Sequence, residues 1–264
     1  MVKGTIFNET GKETGVVVNG RAATVIGNNF VANHVLLEEG QNTITAVASD
    51  TNGFSVEASI NLNAETIGDF IRIIADDYTG VSGTSPFETR LRVEGSFSFP
   101  TGYTITYTGP DEVEFLEGEE ENESIIRITT LGTYIFKAEA RDEEANLHED
   151  SISIVVLDKA QLDVLLRAKW DAMKTALGNQ DIEKALEYYI QESREKYREI
   201  YSIIYNKLPQ LVQGMQDIEL LHTDGVGAKY CIIRNQIYAG QMYPIAYYIY
   251  FVRDVDGLWK IYWF

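Results

Sequence analysis

The sequence predicts a multidomain chain in which two all-β domains are followed by one α+β domain. Up to about Leu157, short β-rich runs alternate with Gly, Asn and Asp, whereas helical periodicity dominates after Asp158. The length of 264 residues and the 45% hydrophobic content fit two or three domains with sizeable cores.

Composition limits the classes of protein and partner. The 11% aromatic content argues against low-complexity disorder, and no apolar run approaches the ~20 residues of a membrane span. A net charge of −18 would repel nucleic acid and anionic membranes, so we expect neither as a partner. The single cysteine, Cys231, removes a disulfide framework and a cysteine metal site.

Charge is distributed unevenly along the chain. Residues 1–66 hold 7 acids and 3 bases, residues 67–158 hold 20 and 6, and residues 159–264 hold 13 of each. These segments are the three predicted domains, and the acidity belongs to the middle one. Because the linkers are short and the charges differ, we expect each domain to have its own core and to unfold separately.

An internal repeat supports the first boundary. Sliding the sequence by 92 residues superimposes Gly40 on Gly132 and Asp50 on Asp142. Each copy is typical of a hairpin, with alternating strands around a turn. The predicted strands are residues 42–48, 56–62, 133–140 and 150–156. A strand pair repeated at this spacing favours two immunoglobulin-like sandwiches in tandem.

The first segment resembles a known family. The runs Val16–Ala23 and Val35–Thr45, with Phe30 between them, are similar to bacterial immunoglobulin-like modules typified by the glucodextranase B domain. The resemblance covers nearly all of residues 1–66. It implies a spacer or binding unit of a secreted enzyme or surface protein, without a catalytic site.

The middle segment, residues 67–158, resembles polycystic-kidney-disease-type repeats through the stretch from Gly132 to Asp142. Its residues 95–110 also predict alternating strands, around a turn at residues 100–102.

The C-terminal segment predicts three helices followed by four strands. An apolar stripe from Leu162 to Leu177 ends at Gly178, and Asp181 is placed to cap a second, short helix. A third helix is expected over residues 193–215, kinked or divided by Pro209. The strands are expected at residues 218–223, 228–238, 243–253 and 258–264.

This order of elements resembles the nuclear transport factor-like, cystatin-type roll, through Gly178–Leu186 and Asp256–Ile261. The resemblance implies helices packed on a curved antiparallel sheet. The family hosts isomerases, dehydratases, hydrolases and inactive proteins, so the fold does not supply a function.

Aromatic residues form the candidate ligand site. Six of them fall on helix and strand faces expected to point inward, where their rings and hydroxyl groups would line an apolar pocket. They are Trp170, Tyr189, Tyr201, Tyr205, Tyr248 and Tyr250. The alternative is that the stripe is plain core.

No motif predicts a catalytic or metal site. His222 with Asp224 is the one acid–base candidate of the roll, and the alternative is an exposed loop histidine. The residues around His34 and His148 offer no zinc spacing. The acidic runs 111–123 and 142–144 would suit calcium, but a solvated face explains them as well. We therefore expect no catalytic residues and no cofactor, with calcium left open.

The leading functional hypothesis is a non-enzymatic, exported bacterial protein or fragment with two spacer modules and a C-terminal binding or assembly domain. The rivals are a small-molecule enzyme or carrier and a carbohydrate-binding region with exposed aromatics such as Phe54 and Tyr103. The start of the sequence lacks signal-peptide features. The domain types nonetheless favour the periplasm, the cell surface or secretion.

The last strands predict self-association or a protein partner. Every residue from Tyr243 to Val252 is apolar or aromatic, so both faces of this strand are apolar, and the final strand places Trp259, Ile261 and Trp263 on one side. One face should cover the helices, and the other should form an exposed patch larger than monomers usually carry. A symmetric dimer is the simplest cover, and burial against the middle sandwich is the alternative.

Overall fold

The computed structural model describes residues 1–9, 11–65, 68–76, 81–99, 102–238 and 240–264, and of Tyr238 only the backbone. Contacts divide the chain into two compact units. One unit comprises Met1–Asp158 with Val255–Leu258, and the other comprises Lys159–Asp254 with Trp259–Phe264. The predicted boundary after residue 66 lies outside the described residues, so the division of the first unit into two domains stays a prediction.

The first unit begins with a six-stranded sheet in the order β1-β4-β3-β2-β5-β6. Its strands are β1 (Val2–Thr5), β2 (Thr14–Val18), β3 (Arg21–Ile26), β4 (Asn29–Ala32), β5 (Gly40–Asp50) and β6 (Ser55–Ala64). β3 pairs with β2 through Arg21–Ala23 and with β4 through Thr24–Ile26, so the sheet folds over a small core that includes Val16, Val18 and Phe30.

The rest of this unit is a pair of four-stranded sheets, β10-β13-β14-β8 and β11-β12-β9-β7. The strands are β7 (Ile71–Ala75), β8 (Ser82–Thr84), β9 (Phe87–Gly95), β10 (Tyr103–Thr108), β11 (Glu114–Glu117), β12 (Glu123–Ile128), β13 (Gly132–Arg141) and β14 (Leu147–Leu157). Alternate residues of both sheets, among them Leu91 and Phe136, form one apolar core. This is the layered arrangement of a β-sandwich.

Both predicted hairpins are confirmed. β5 pairs antiparallel with β6, and β13 pairs antiparallel with β14. In the first turn, the Asp50 carboxylate accepts the backbone N–H groups of Asn52 at 2.8 Å and Phe54 at 3.0 Å. Gly53 takes a positive φ of 83°, which glycine adopts without steric strain. The turn predicted at residues 100–102 lies largely outside the described residues.

The second unit starts with helices α1 (Lys159–Gly178), α2 (Ile182–Leu186), α3 (Arg194–Ile203) and α4 (Leu208–Gln213). The predicted end of α1 and the Asp181 cap are confirmed, because the Asp181 side chain accepts the Lys184 N–H. The third predicted helix is divided earlier than expected, at Ile204. Pro209 lies in the first turn of α4, where its missing N–H leaves no intrahelical bond unmade.

A four-stranded antiparallel sheet completes this unit, in the order β15-β16-β17-β18. Its strands are β15 (Glu219–Thr223), β16 (Gly227–Tyr238), β17 (Gln241–Arg253) and β18 (Trp259–Trp263). One core joins the helices to one face of the sheet, to which Tyr230, Ile249, Phe251 and Ile261 contribute fully buried side chains. In the described residues, no helix combines the length and apolar content needed to cross a bilayer.

Candidate functional site

Three of the six predicted ligand-binding aromatics meet in the core of the second unit. Trp170 of α1, Tyr189 after α2 and Tyr201 of α3 are each at most 2% exposed. The hydroxyl groups of Tyr189 and Tyr201 lie 2.5 Å apart, and the Trp170 indole N–H donates to the Gln216 carbonyl at 3.2 Å. Their polar atoms are therefore paired within the protein.

Two residues that were not among the six predicted ligand-binding aromatics, Tyr197 and Phe264, complete this aromatic cluster. The Tyr197 ring lies 4.3 Å from the Tyr189 ring and is stacked, at an interplanar angle of 6°, on Phe264. The Tyr197 hydroxyl donates to the Phe264 carbonyl at 3.1 Å and accepts the Phe264 N–H at 3.0 Å. The rings thus pack against one another in the region where a ligand pocket was predicted, and ligand binding there stays a prediction.

The environment keeps the buried hydroxyl groups protonated. Burial raises the pKa of Tyr189 well above its ordinary value, and the neighbouring Tyr201 raises it further. Burial also raises the pKa of Tyr201, although the hydrogen bond to Tyr189 opposes part of this effect. Near neutral pH these groups are hydrogen-bonding partners and not bases.

The other three predicted aromatics lie elsewhere. Tyr205 is 43% exposed in a 3₁₀ turn after α3, where its carbonyl accepts the Gln180 side-chain amide at 3.0 Å. Tyr248 and Tyr250, which the sequence placed inward, lie on the sheet face that points away from the helices. The reason is that Ile249 and Phe251 occupy the core, and neighbouring residues of a strand point to opposite faces.

This outer face carries a row of stacked side chains across three strands. Lys229 of β16 lies opposite Tyr250 of β17, which lies opposite Trp263 of β18. The Tyr250 and Trp263 rings stack with centroids 4.9 Å apart, and the Lys229 ammonium lies 4.1 Å from the Tyr248 ring centroid. We call Lys229, Tyr248, Tyr250 and Trp263 the outer aromatic row. It presents cationic and aromatic groups to solvent.

The placement of Trp263 corrects the sequence prediction. The sequence placed Trp259, Ile261 and Trp263 on one side of the strand, but Trp259 and Ile261 are buried whereas Trp263 is 43% exposed. The pairing of β17 with β18 shifts register, because Phe251 pairs with Ile261 whereas its neighbour Tyr250 pairs with Trp263. The extra residue in β18 is a bulge, which reverses the face that the following side chains occupy.

The acid–base candidate of the C-terminal segment, His222 with Asp224, lies at a turn. The Asp224 carboxylate accepts the backbone N–H groups of Val226 at 2.9 Å and Gly227 at 2.7 Å, which shapes the β15–β16 connection. His222 is exposed on β15. Catalysis would require Asp224 to act as the partner of His222, but the Asp224 carboxylate is bound to backbone N–H groups of the turn. This geometry therefore does not support an acid–base pair.

The acidic loops of the first unit differ in their contacts. Asp142 is buried and accepts hydrogen bonds from the Asn146 backbone and side chain and from His148, at 2.8 to 3.0 Å. These bonds hold the pKa of Asp142 at about 2. An open groove of about 550 Å³ lies beside Glu117–Glu121. No group of three His, Cys, Asp or Glu residues in the described ranges is arranged to hold a metal ion, and calcium binding stays a prediction.

The fold defines a class of protein in which tandem β-sandwich-like sheets are followed by a helical region and a C-terminal antiparallel sheet. No protein-family model matches the sequence, and no curated protein matches it. The chain is distantly similar to solved structures of extracellular tandem β-sandwich modules.

Three of those structures illustrate the similarity. Extracellular cadherin domains 1–4 of protocadherin gamma B7 share 16% identity over 55% of this chain and 40% of that chain, with a TM-score of 0.23. The fibronectin(III)-like modules of Clostridium thermocellum CbhA share 14% identity over 59% of this chain and 84% of that chain, with a TM-score of 0.22.

The third structure is Bacteroides ovatus SGBP-B, from a mixed-linkage glucan utilization locus, in complex with a mixed-linkage heptasaccharide. It shares 12% identity over 54% of this chain and 36% of that chain, with a TM-score of 0.19. The present chain spans about two fifths of the length of the first protocadherin chain. Similarity at this level carries no information on function.

Proposed function

We propose that this chain is a non-enzymatic binding or assembly protein of the cell exterior. Its β-sandwich regions, residues 1–66 and 67–158, are immunoglobulin-like spacer modules. Its C-terminal domain, residues 159–264, is a nuclear transport factor-like roll that supplies the binding surface. The protein acts in the periplasm, at the cell surface or after secretion.

The observation that carries this proposal is the outer aromatic row with the apolar side chains beside it. Tyr248 and Trp263 are about two fifths exposed, and Ile233 on the same face is half exposed. Apolar surface that remains in contact with water on one sheet face gains free energy when a partner covers it. Aromatic residues supply much of the binding energy in protein interfaces.

The interior of the domain favours binding over catalysis. The Tyr189 and Tyr201 hydroxyl groups bond each other, and aromatic rings occupy the space around them. A small-molecule carrier would need that space to open. Binding at the outer face needs no such rearrangement, because Tyr248 and Trp263 are already accessible.

The test compares outer-face variants with a matched control. In the full chain, Tyr248→Lys and Trp263→Lys should each weaken binding roughly tenfold or more, since they place a charge in the covered patch. Tyr205→Lys replaces an equally exposed tyrosine outside the sheet and should have no effect.

Self-association is measured by light scattering, and binding of soluble β-glucan and peptidoglycan fragments by calorimetry. Binding of either kind that depends on Tyr248 and Trp263 supports the proposal, and a glycan that binds there identifies a carbohydrate-binding region. Absence of both, or an equal loss in Tyr205→Lys, overturns it.

A further inference from the structure

The outer half of the β16–β17 hairpin extends beyond the strands that flank it. β16 and β17 pair from Gly227 opposite Val252 to Tyr238 opposite Gln241. In the described residues, β15 pairs with β16 only as far as Cys231, and β18 pairs with β17 only as far as Tyr250. We call residues 233–248 the hairpin arm. Among the residues of the arm that the structure describes, each strand has one edge without a neighbouring strand.

Both faces of the arm are apolar and exposed, whereas the sequence analysis expected one face to be exposed and the other to be covered by the helices. Odd-numbered residues of β17 continue the face that buries Ile249 and Phe251, but residues 241–248 lie beyond the helices and are exposed throughout. Seven large apolar side chains of the arm are between 38% and 74% exposed: Ile233, Ile237, Met242, Tyr243, Ile245, Tyr247 and Tyr248.

The exposed area is close to that of one side of an interface. Aromatic side chains bury roughly 150–250 Å² each and aliphatic ones less, so seven at these exposures, spread over both faces of the arm, offer at most on the order of 700 Å². A stable protein interface buries about 800 Å² on each partner. The arm is thus large enough to carry a specific contact.

The charges of the arm favour a protein over a membrane. No acidic residue occurs between Asp224 and Asp254, and the arm itself holds one base, Arg234. The Arg234 guanidinium is already engaged, over the Tyr247 ring at 5.7 Å and with the Gly214 carbonyl at 2.5 Å. A single engaged base does not outweigh the repulsion of an anionic surface by a chain of net charge −18.

The two free edges of the arm differ. β17 contains Pro244, opposite Asn235 of β16. Because proline cannot donate a hydrogen bond, it is tolerated in a strand where its nitrogen faces an unpaired edge, and there it blocks the addition of another strand. Residues 232–238 of β16 contain no proline. The edge of β16 is therefore the one that can accept a strand.

The sequence of this edge is self-complementary. The residues Ile233-Arg234-Asn235-Gln236-Ile237 have the order apolar, polar, polar, polar, apolar, which is the same in either chain direction. If two copies pair antiparallel about a two-fold axis through Asn235, Ile233 faces Ile237 of the second copy and Arg234 faces Gln236 of the second copy. Ile233 and Ile237 then meet on one face, on either side of the Asn235 pair, and Arg234 and Gln236 meet on the other face, with no like charges directly opposite.

We propose that the free edge of β16 pairs with the same edge of a second copy of this chain, in the register that places Asn235 opposite itself. The pairing joins the two C-terminal sheets into one and covers part of both arms. This inference rests on the proposed binding function and names its partner.

The first experiment tests the register through charge in the full chain. Ile233→Lys/Ile237→Lys places lysines opposite each other and should weaken the dimer at least tenfold. Ile233→Glu/Ile237→Lys places each glutamate opposite a lysine of the second copy and should keep the dimer. Met242→Lys, exposed on the same face but on β17, is the matched control and should change the affinity little. Sedimentation equilibrium measures all four proteins.

The second experiment traps the axis with a disulfide. Opposed residues of antiparallel strands have Cα atoms about 4.5–5.5 Å apart, within the range a disulfide spans. Oxidised Asn235→Cys should therefore form a covalent dimer. Ile237→Cys should not, because the two copies of residue 237 lie four positions apart along the pair, about 13 Å.

The outcomes separate this inference from the proposed function. A monomer at all concentrations, a dimer indifferent to Ile233→Lys/Ile237→Lys, or no cross-link through Asn235→Cys overturns the edge pairing. A dimer that is lost only in Trp263→Lys overturns pairing through the β16 edge and supports binding through the outer aromatic row. A monomer that instead sediments with phosphatidylglycerol vesicles through the arm assigns the surface to lipid. Loss of every form of binding overturns both.

Discussion

The side chain of Asn33 hydrogen-bonds to both backbone groups of Ser153, as the backbone of a neighbouring strand would. Its side-chain amide donates to the Ser153 carbonyl at 2.7 Å and accepts the Ser153 N–H at 2.9 Å. Arg21 holds the segment in place by donating to the carbonyls of Asn33 at 2.8 Å and His34 at 2.9 Å. The contact joins the six-stranded sheet to β14 within the first unit.

Asn33→Ala should lower the free energy of unfolding by about 1–3 kcal/mol, because the Ser153 N–H and carbonyl would lose their partners in a buried position. Asn33→Asp keeps the shape but sets a carboxylate oxygen against the Ser153 carbonyl, and it should cost at least as much. Asn29→Ala, at an exposed position of β4, is the control and should be nearly neutral. Urea unfolding followed by far-UV circular dichroism measures the three. Equal stability of Asn33→Ala and the wild type would contradict a structural role for the contact.

The Asp142 turn should make stability depend on pH in the acid range. Hydrogen bonds from His148 and Asn146 lower the pKa of Asp142 from 3.8 to about 2 in the folded chain. Because the folded pKa lies below the unfolded one, the stabilisation is present above pH 4 and is lost as the pH falls towards 2.

Asp142→Asn should therefore destabilise the protein at pH 7 and lose this effect near pH 2. Thermal unfolding across that range gives the comparison, with Glu143→Gln at the exposed neighbouring position as the control. A constant difference between Asp142→Asn and the wild type at all pH values would show that the ionised carboxylate is not the cause.

The Tyr189–Tyr201 pair should behave as one energetic unit. Tyr201→Phe removes the partner of the Tyr189 hydroxyl, whose other contact is the Met173 sulfur at 4.0 Å. Each single change to Phe should cost about 1–2 kcal/mol, and the double change should cost less than the sum of the two. Urea unfolding of the four proteins of this cycle provides the coupling energy. Strict additivity would mean that the two hydroxyl groups do not interact.

Fluorescence quenching should report the bulge in β18. Trp170 and Trp259 are buried and Trp263 is exposed. Acrylamide should quench one accessible component of the wild-type emission, and Trp263→Phe should remove that component. Trp259→Phe should leave it in place. An accessible component that survives in Trp263→Phe would contradict the placement of Trp263 on the outer face, because another tryptophan would then supply the accessible emission.

Several elements followed from the sequence because local interactions determine them. The Asp50–Gly53 turn depends on a carboxylate and a glycine within four residues, and the start of α2 depends on Asp181 three positions before Lys184. The change from strands to helices after Asp158 follows from periodicity. In each case, the residues that decide the structure are close together in the chain.

Tertiary structure decided the candidate site. Alternation along β17 leaves two choices of inner face, and packing of Ile249 and Phe251 on the helices selected the one that places Tyr248 and Tyr250 outside. The bulge opposite Tyr250 moved Trp263 to the same face. Asn33 meets Ser153 across 120 positions of sequence. Such contacts depend on how strands from distant segments align, and the alternation within one strand does not decide which strand it meets or where a bulge falls.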